Sequence, residues 1–309
     1  MRWMQLAAAI AIWWGIEGGQ RQSLRADDEL PTGVTLLREL PYRAGDSQTW
    51  RLDLALPSGD TAQPRPAIIV IHGGGWLEGD KSSFSTLENR PPGNIFDFAK
   101  LGFAAATINY RLSREAPFPA GLEDCKCAVR WLRAQAGKYH IDPDRIGVWG
   151  NSAGGHLALL LAMTADKPEL EGDGPWREQS SRVNCAVSDS GPIDLIGQYD
   201  QGTLRTVVSM WMNGPPEGDR RAEYLQASPS NYIQKDVPPL LLIYGADDNQ
   251  VPIEFTDRFV TALGEAGVND VSYHRLAKVQ HCPHSLIGVP WLRPVVEEFF
   301  LRTLRPGAK

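Results

Sequence analysis

Residues 146–158 read IGVWGNSAGGHLA. The turn Asp142-Pro143-Asp144 leads into Arg145–Trp149, a short apolar run of strand length, and Ala153–Met163 is apolar on all sides, as a core helix is. Gly150-x-Ser152-x-Gly154 joins the two. A strand that turns sharply into a helix needs residues without a Cβ at its closest approaches, and the residue between them then projects from the turn. Ser152 is therefore a candidate nucleophile, set at a helix N-terminus whose dipole favours developing negative charge.

Working outward from that turn, strand-like and helix-like runs alternate. Thr49–Leu56, Pro66–Ile71, Phe103–Tyr110, Val183–Ser188, Pro239–Tyr244 and Val271–Leu276 read as strands. Gly121–Ala136, Ile253–Gly264 and Trp291–Leu304 read as amphipathic helices. Continuous apolar strands alternating with helices indicate a parallel sheet covered on both faces, and the sharp serine turn favours an open sheet over a closed barrel. Residues 196–236 interrupt the alternation and are expected to form a cap-like insertion over the sheet's edge.

A serine that attacks a carbonyl needs backbone N–H donors aimed at the oxyanion. One donor is Ala153, the residue after the nucleophile. A second set should follow an earlier strand, and His72-Gly73-Gly74-Gly75-Trp76 follows Pro66–Ile71 directly. Gly74 and Gly75 are the expected donors, with Gly73 in reserve. No Lys-Ser/Thr follows at phosphate-loop spacing, so nucleotide binding is not indicated. Trp76, Trp211 and Met212 could line an acyl or alcohol pocket, or Trp76 could pack beneath the glycines.

Composition bounds the rest. The 309 residues are 42% hydrophobic and carry a net charge of −6 without a Lys/Arg block, which argues for a globular domain and against nucleic acid as a partner. Residues 1–25 are set apart as a leader: Arg2 precedes an apolar run, Leu6–Ile16, of signal-peptide length and too short to span a bilayer. Export to the periplasm or medium is expected, and residues 26–309 form the folded domain. Cys125, Cys127, Cys185 and Cys282 are expected to be buried, with room for one disulfide. No metal-ligand spacing such as H-E-x-x-H occurs.

The segments IHGGGW (71–76), FPAGLEDCKCAVRWLRAQAGKYHIDPDRIGVWGNSAGGHLA (118–158), SGPIDL (190–195) and PPLLLIYGADDNQVP (238–252) together resemble the α/β-hydrolase carboxylesterases. The likeness is to the feruloyl- and acetylxylan-esterase-like group, near the hormone-sensitive-lipase type, and runs from about residue 45 to 304. It implies an eight-stranded, mostly parallel sheet, a Ser-His-Asp triad in the chain order Ser, Asp, His, and no cofactor. In similar hydrolases the acid stands three residues after a Gly and three before a Val-Pro, which selects Asp248 over Asp247; Asp194 is a distant third. The base belongs in the loop after the last strand, which holds His281 and His284. A Pro-His pair ahead of a Pro-Trp pair in relatives favours His284, at Pro283-His284 and Pro290-Trp291. Pro283 should also hold Cys282 extended and the segment stiff. His281 stays open as the alternative. The expected activity is hydrolysis of small or carbohydrate-linked carboxylic esters, with amidase, arylformamidase or serine peptidase chemistry as the rival use of the same triad.

Overall fold

The computed structural model describes residues 30–45, 47–59, 62–87 and 90–305. The expected leader, residues 1–25, lies outside them. All elements below belong to the unit that begins at Thr32. The strands are β1 (Val34–Pro41), β2 (Arg51–Pro57), β3 (Arg65–Ile71), β4 (Ala104–Ile108), β5 (Ile141–Asn151), β6 (Cys185–Asp189), β7 (Leu240–Gly245) and β8 (Val271–Leu276). They form one sheet in the order β1-β2-β4-β3-β5-β6-β7-β8. β2 pairs antiparallel with β1 and β4, and every other pairing is parallel. The α-helices are α1 (Ile95–Lys100), α2 (Ala120–Ala134), α3 (Ala136–Tyr139), α4 (Ala153–Met163), α5 (Leu195–Gln201), α6 (Arg205–Trp211), α7 (Arg220–Gln226), α8 (Ile253–Glu265) and α9 (Leu292–Leu304). This is the α/β-hydrolase architecture.

The apolar strands are two-sided because the sheet is. Ile68, Val70, Trp149, Val187, Leu241 and Ile243 meet Phe96 and Phe98 of α1 and Val296 and Phe300 of α9. On β3, Ile69 and Ile71 alternate to the opposite face. α4 packs against β3, β5 and β6, with α2 beside it. Because α4 is enclosed all round, each of its residues from Ala153 to Met163 is buried.

β1 escapes the sequence reading for a local reason. Its register against β2 shifts between Leu37 and Leu40, and Glu39 takes a positive φ of 56°. The bulge breaks the two-residue alternation that would mark a strand. The backbone N–H of Glu39 donates instead to the buried Asp53 carboxylate at 3.0 Å.

Register also decides where loops meet. Ile71 pairs with Gly150, Asn151 with Asp189, and Asp189 with Ile243. The carboxyl ends of β3, β5, β6 and β7 are thus level, and the loops that leave them converge above the sheet. Helices α5–α7 fill the connection between β6 and β7. This insertion packs against the glycine loop and the elbow helix: the ring of Trp211 stacks on Trp76 at 4.4 Å and meets His156 edge-on at 5.2 Å. All four cysteines are buried free thiols, so the structure has no disulfide among the described residues.

Candidate active site

The strand-to-helix turn at Ser152 is tight. A Cβ on Gly150 would sit 2.3 Å from the carbonyl oxygen of Gly154, and one on Gly154 would sit 2.1 Å from that of Ile71. No side chain fits either gap. Ser152 itself adopts φ 51° and ψ −123°, a strained conformation for a residue with a Cβ, and its N–H donates to the carbonyl of Asp189 at 2.8 Å. The neighbouring strand thus holds the elbow in place.

Ser152 Oγ donates to Nε2 of His281 at 2.8 Å, and Nδ1–H of His281 donates to Oδ2 of Asp248 at 2.6 Å. The other carboxylate oxygen of Asp248 accepts from the N–H groups of Gln250 (2.8 Å) and Val251 (3.0 Å). Asp248 is therefore saturated and fixed, and it sets the imidazole tautomer with a bare Nε2 facing the serine. Asp247 is exposed, and Asp194 caps α5 by accepting from Ile196 N and Gly197 N.

The expectation that His284 is the base is corrected. His284 is 1% exposed, meets Trp149 edge-on at 5.6 Å, and neither of its ring nitrogens has a hydrogen-bond partner among the described residues. Burial, with Arg293 nearby, lowers its pKa to about 3. The reason is local. Cys282 is not extended but has φ 53°, and the N–H groups of Leu286 and Ile287 both return to its carbonyl. The chain turns immediately after His281, which points one ring at Ser152 and the other into the core.

The oxyanion side lies against the nucleophile. A Cβ on Gly73 would meet the Ser152 Cβ at 3.1 Å. Gly74 and Gly75 follow at φ 105° and 61°. Among the described residues, neither of their N–H groups donates to a protein acceptor. Ala153 is the first residue of α4, so its N–H has no acceptor within the helix. His72 steadies the loop: its Nδ1–H donates to the carbonyl of Gly73 at 2.8 Å, and its ring stacks on Tyr110 at 4.5 Å. Trp76 does not line an open pocket. It is 1% exposed and packs under the glycines, between Trp211 and His156. Val207 of α6 also meets the loop: its Cγ1 lies 2.9 Å from the Cβ position of Gly75.

Sequence reasoning gives His156 only a packing role and misses Asp189 and Ser190. His156 donates from Nε2 to the carbonyl of Ala227 at 2.7 Å, tying the elbow helix to the end of the insertion, and burial lowers its pKa to about 4. Asp189 and Ser190 lie at the end of β6, directly under the histidine loop. The signal for Asp189 was a carboxylate closing an apolar strand, AVSD, where solvent cannot reach.

The chain is similar in sequence and in fold to known ester hydrolases. A probable carboxylic ester hydrolase of Mycobacterium tuberculosis, LipM, is 31% identical over 241 residues, covering 77% of this chain and 53% of the relative. The chain spans about half the length of the curated relatives it matches first. A truncated carbohydrate esterase from gut microbiota superposes with a TM-score of 0.73 at 26% identity, covering 89% of this chain and 98% of that one. Esterase 2 of Thermogutta terrifontis, phosphorylated by paraoxon, superposes with a TM-score of 0.69 at 26% identity, covering 92% of this chain and 100% of that one. The family described as BD-FAE matches residues 52–263, a stretch that holds the glycine loop, Ser152 and Asp248, and the chain belongs to that family.

Proposed function

We propose that the protein is a serine carboxylesterase that works through an acyl-enzyme. The observation that carries this is the unbroken hydrogen-bonded chain Ser152–His281–Asp248, with distances of 2.8 and 2.6 Å, beside a glycine loop with free N–H groups. Ser152 attacks the ester carbonyl while His281 takes its proton at Nε2. The resulting imidazolium is stabilised by Asp248. The N–H groups of Gly74, Gly75 and Ala153 hold the oxyanion. His281 then protonates the leaving alcohol, and water repeats the cycle to release the acid.

Small or carbohydrate-linked esters are the proposed substrates. Supporting this are the gut carbohydrate esterase among the structural neighbours and an insertion of three short helices, too small for a broad lipid-binding lid. Export is proposed with it, on Arg2 and the apolar run that follows. The test is a hydrolysis screen on p-nitrophenyl esters of increasing acyl length, beside methyl ferulate, acetylated xylan and an anilide, together with fluorophosphonate labelling. The expected result is ester turnover, with the label on Ser152. Anilide turnover without ester turnover, or a label on another serine, would overturn the proposal. The mass of the mature protein from its native host tests export: a start between about residues 17 and 30 is expected.

A further inference from the structure

His281 lies in the loop between β8 and α9, and that loop has to be held by something other than strand pairing. The four residues after it, Cys282, Pro283, His284 and Ser285, carry three backbone N–H groups, since Pro283 has none. All three donate to the side chains of two consecutive residues at the end of β6. Cys282 N donates to Ser190 Oγ at 3.0 Å. His284 N donates to Asp189 Oδ1 at 3.3 Å, and Ser285 N to Asp189 Oδ2 at 2.9 Å. The Ser285 hydroxyl adds a further bond to Oδ2 at 2.7 Å. The backbone carbonyl of the same Asp189 receives the N–H of Ser152. One residue thus ties the nucleophile's backbone and the base's loop to a common point.

We propose that Asp189 is a positioning residue for catalysis: its ionised carboxylate clamps the loop after His281, so that Nε2 stays within hydrogen-bond reach of Ser152 Oγ. The proposal rests on the triad reading above.

A carboxylate is a poor thing to bury for packing alone. Asp189 is fully enclosed, and among the described residues no lysine or arginine pairs with it. Bonds to an ionised acceptor are about twice as strong as neutral ones, and here they fall on a turn with no ladder of its own. The groups that face the carboxylate are His281, Cys282, the backbone of His284 and Ser285 on the loop, and Tyr244 on β7. Burial pushes the Asp189 carboxyl up to about 6, while the Ser285 and His284 bonds and His281 pull it back. Protonation as pH falls through that value removes the negative charge and weakens the clamp.

The test compares kcat and KM of the wild type, Asp189→Asn and Ser285→Ala on a p-nitrophenyl ester, at several pH values between about 5 and 8. Asn is isosteric, but its NH2 group faces an N–H that needs an acceptor. The expected result is a kcat loss of at least about tenfold for Asp189→Asn at pH 8, with KM within about twofold. That gap should narrow as pH falls and the wild-type carboxyl itself becomes neutral. A residue needed only for folding would give a gap independent of pH. Ser285→Ala, which removes one bond and no charge, should lose a few-fold in kcat. Wild-type kcat in Asp189→Asn, a constant gap, or a silent Ser285→Ala beside a crippled Asp189→Asn would overturn the clamp. If Asp189→Asn does not fold, Ser285→Ala decides the matter. A wild type that neither turns over esters nor takes a fluorophosphonate at Ser152 would remove the triad reading, and the clamp with it.

Discussion

Replacing His284 with leucine should leave the enzyme active and make it less sensitive to acid. The wild-type ring is buried with no partner on either nitrogen among the described residues, and its pKa falls to about 3 through burial, with the nearby Arg293 adding to it. An unfolded histidine titrates near 6.5. Below that value the unfolded chain takes up a proton that the folded one refuses, so stability is full above about pH 6.5 and declines as pH falls toward the folded value. At about pH 5.5 this costs roughly 1.4 kcal/mol for His284. His156, lowered to about 4, costs about the same again. Burial lowers His72 and His274 as well, in the same direction. Asp189 works the other way: its carboxyl is raised to about 6, so the folded state gains a proton first and recovers on the order of 1 kcal/mol at that pH. From His284, His156 and Asp189 together wild type should lose about 2 kcal/mol between about pH 7.5 and 5.5, with His72 and His274 adding to that loss, and His284→Leu should lose about 1.4 kcal/mol less than wild type. At pH 7.5 the variant should be as stable as wild type or more so, because an unsatisfied buried donor costs about 1–3 kcal/mol. Urea unfolding followed by tryptophan fluorescence at the two pH values measures the difference. Equal acid sensitivity in the two proteins, or a variant that folds but has lost its activity, would refute the argument.

Ser152→Ala and His281→Ala should each lose at least about a thousandfold in kcat, with circular dichroism unchanged, because the triad acts as a unit. Gly74→Ala places a Cβ 2.1 Å from the Glu78 carbonyl oxygen at a φ of 105°; displacing that N–H should lower kcat by about a hundredfold or more, measured at saturating ester. Trp211→Ala removes the ring stacked on Trp76 and should destabilise the fold by about 3–5 kcal/mol in urea unfolding, with activity falling as the support beneath the glycine loop is lost.

What could be read from the chain was set by how local its causes are. The elbow's glycines, the apolar helix Ala153–Met163 and the continuous strands β3 and β7 each carry their reason within about ten residues, and they stand where the pattern put them; β5 starts earlier than its apolar run, at Ile141, and takes in Asp142-Pro143-Asp144, which reads as a turn, with its register against β3 shifting across them. β1 was not legible, because its bulge at Glu39 is bonded to Asp53 on the next strand and nothing in its own pattern announces that partner. The insertion was visible as an interruption but not as a support. Its place over the elbow depends on Trp211 meeting Trp76, residues 135 positions apart in the sequence.

The choice between His281 and His284 shows where local reasoning stops. Pro283 does favour an extended residue before it. That preference is worth a fraction of what the surroundings supply. With φ at 53°, Cys282 can place its N–H on Ser190 Oγ and accept the N–H groups of Leu286 and Ile287, while the two N–H groups beyond Pro283 reach Asp189. An extended Cys282 would aim its N–H and carbonyl elsewhere, and each buried backbone group left without a partner costs about 1–3 kcal/mol. The strain of one left-handed non-glycine residue is about 1–2 kcal/mol, so the turned conformation wins. The acceptors that decide it belong to β6, more than ninety residues earlier in the chain. A proline's influence on its neighbour is legible from a dipeptide, but the carboxylate that overrules it is legible only once the sheet has brought the two together.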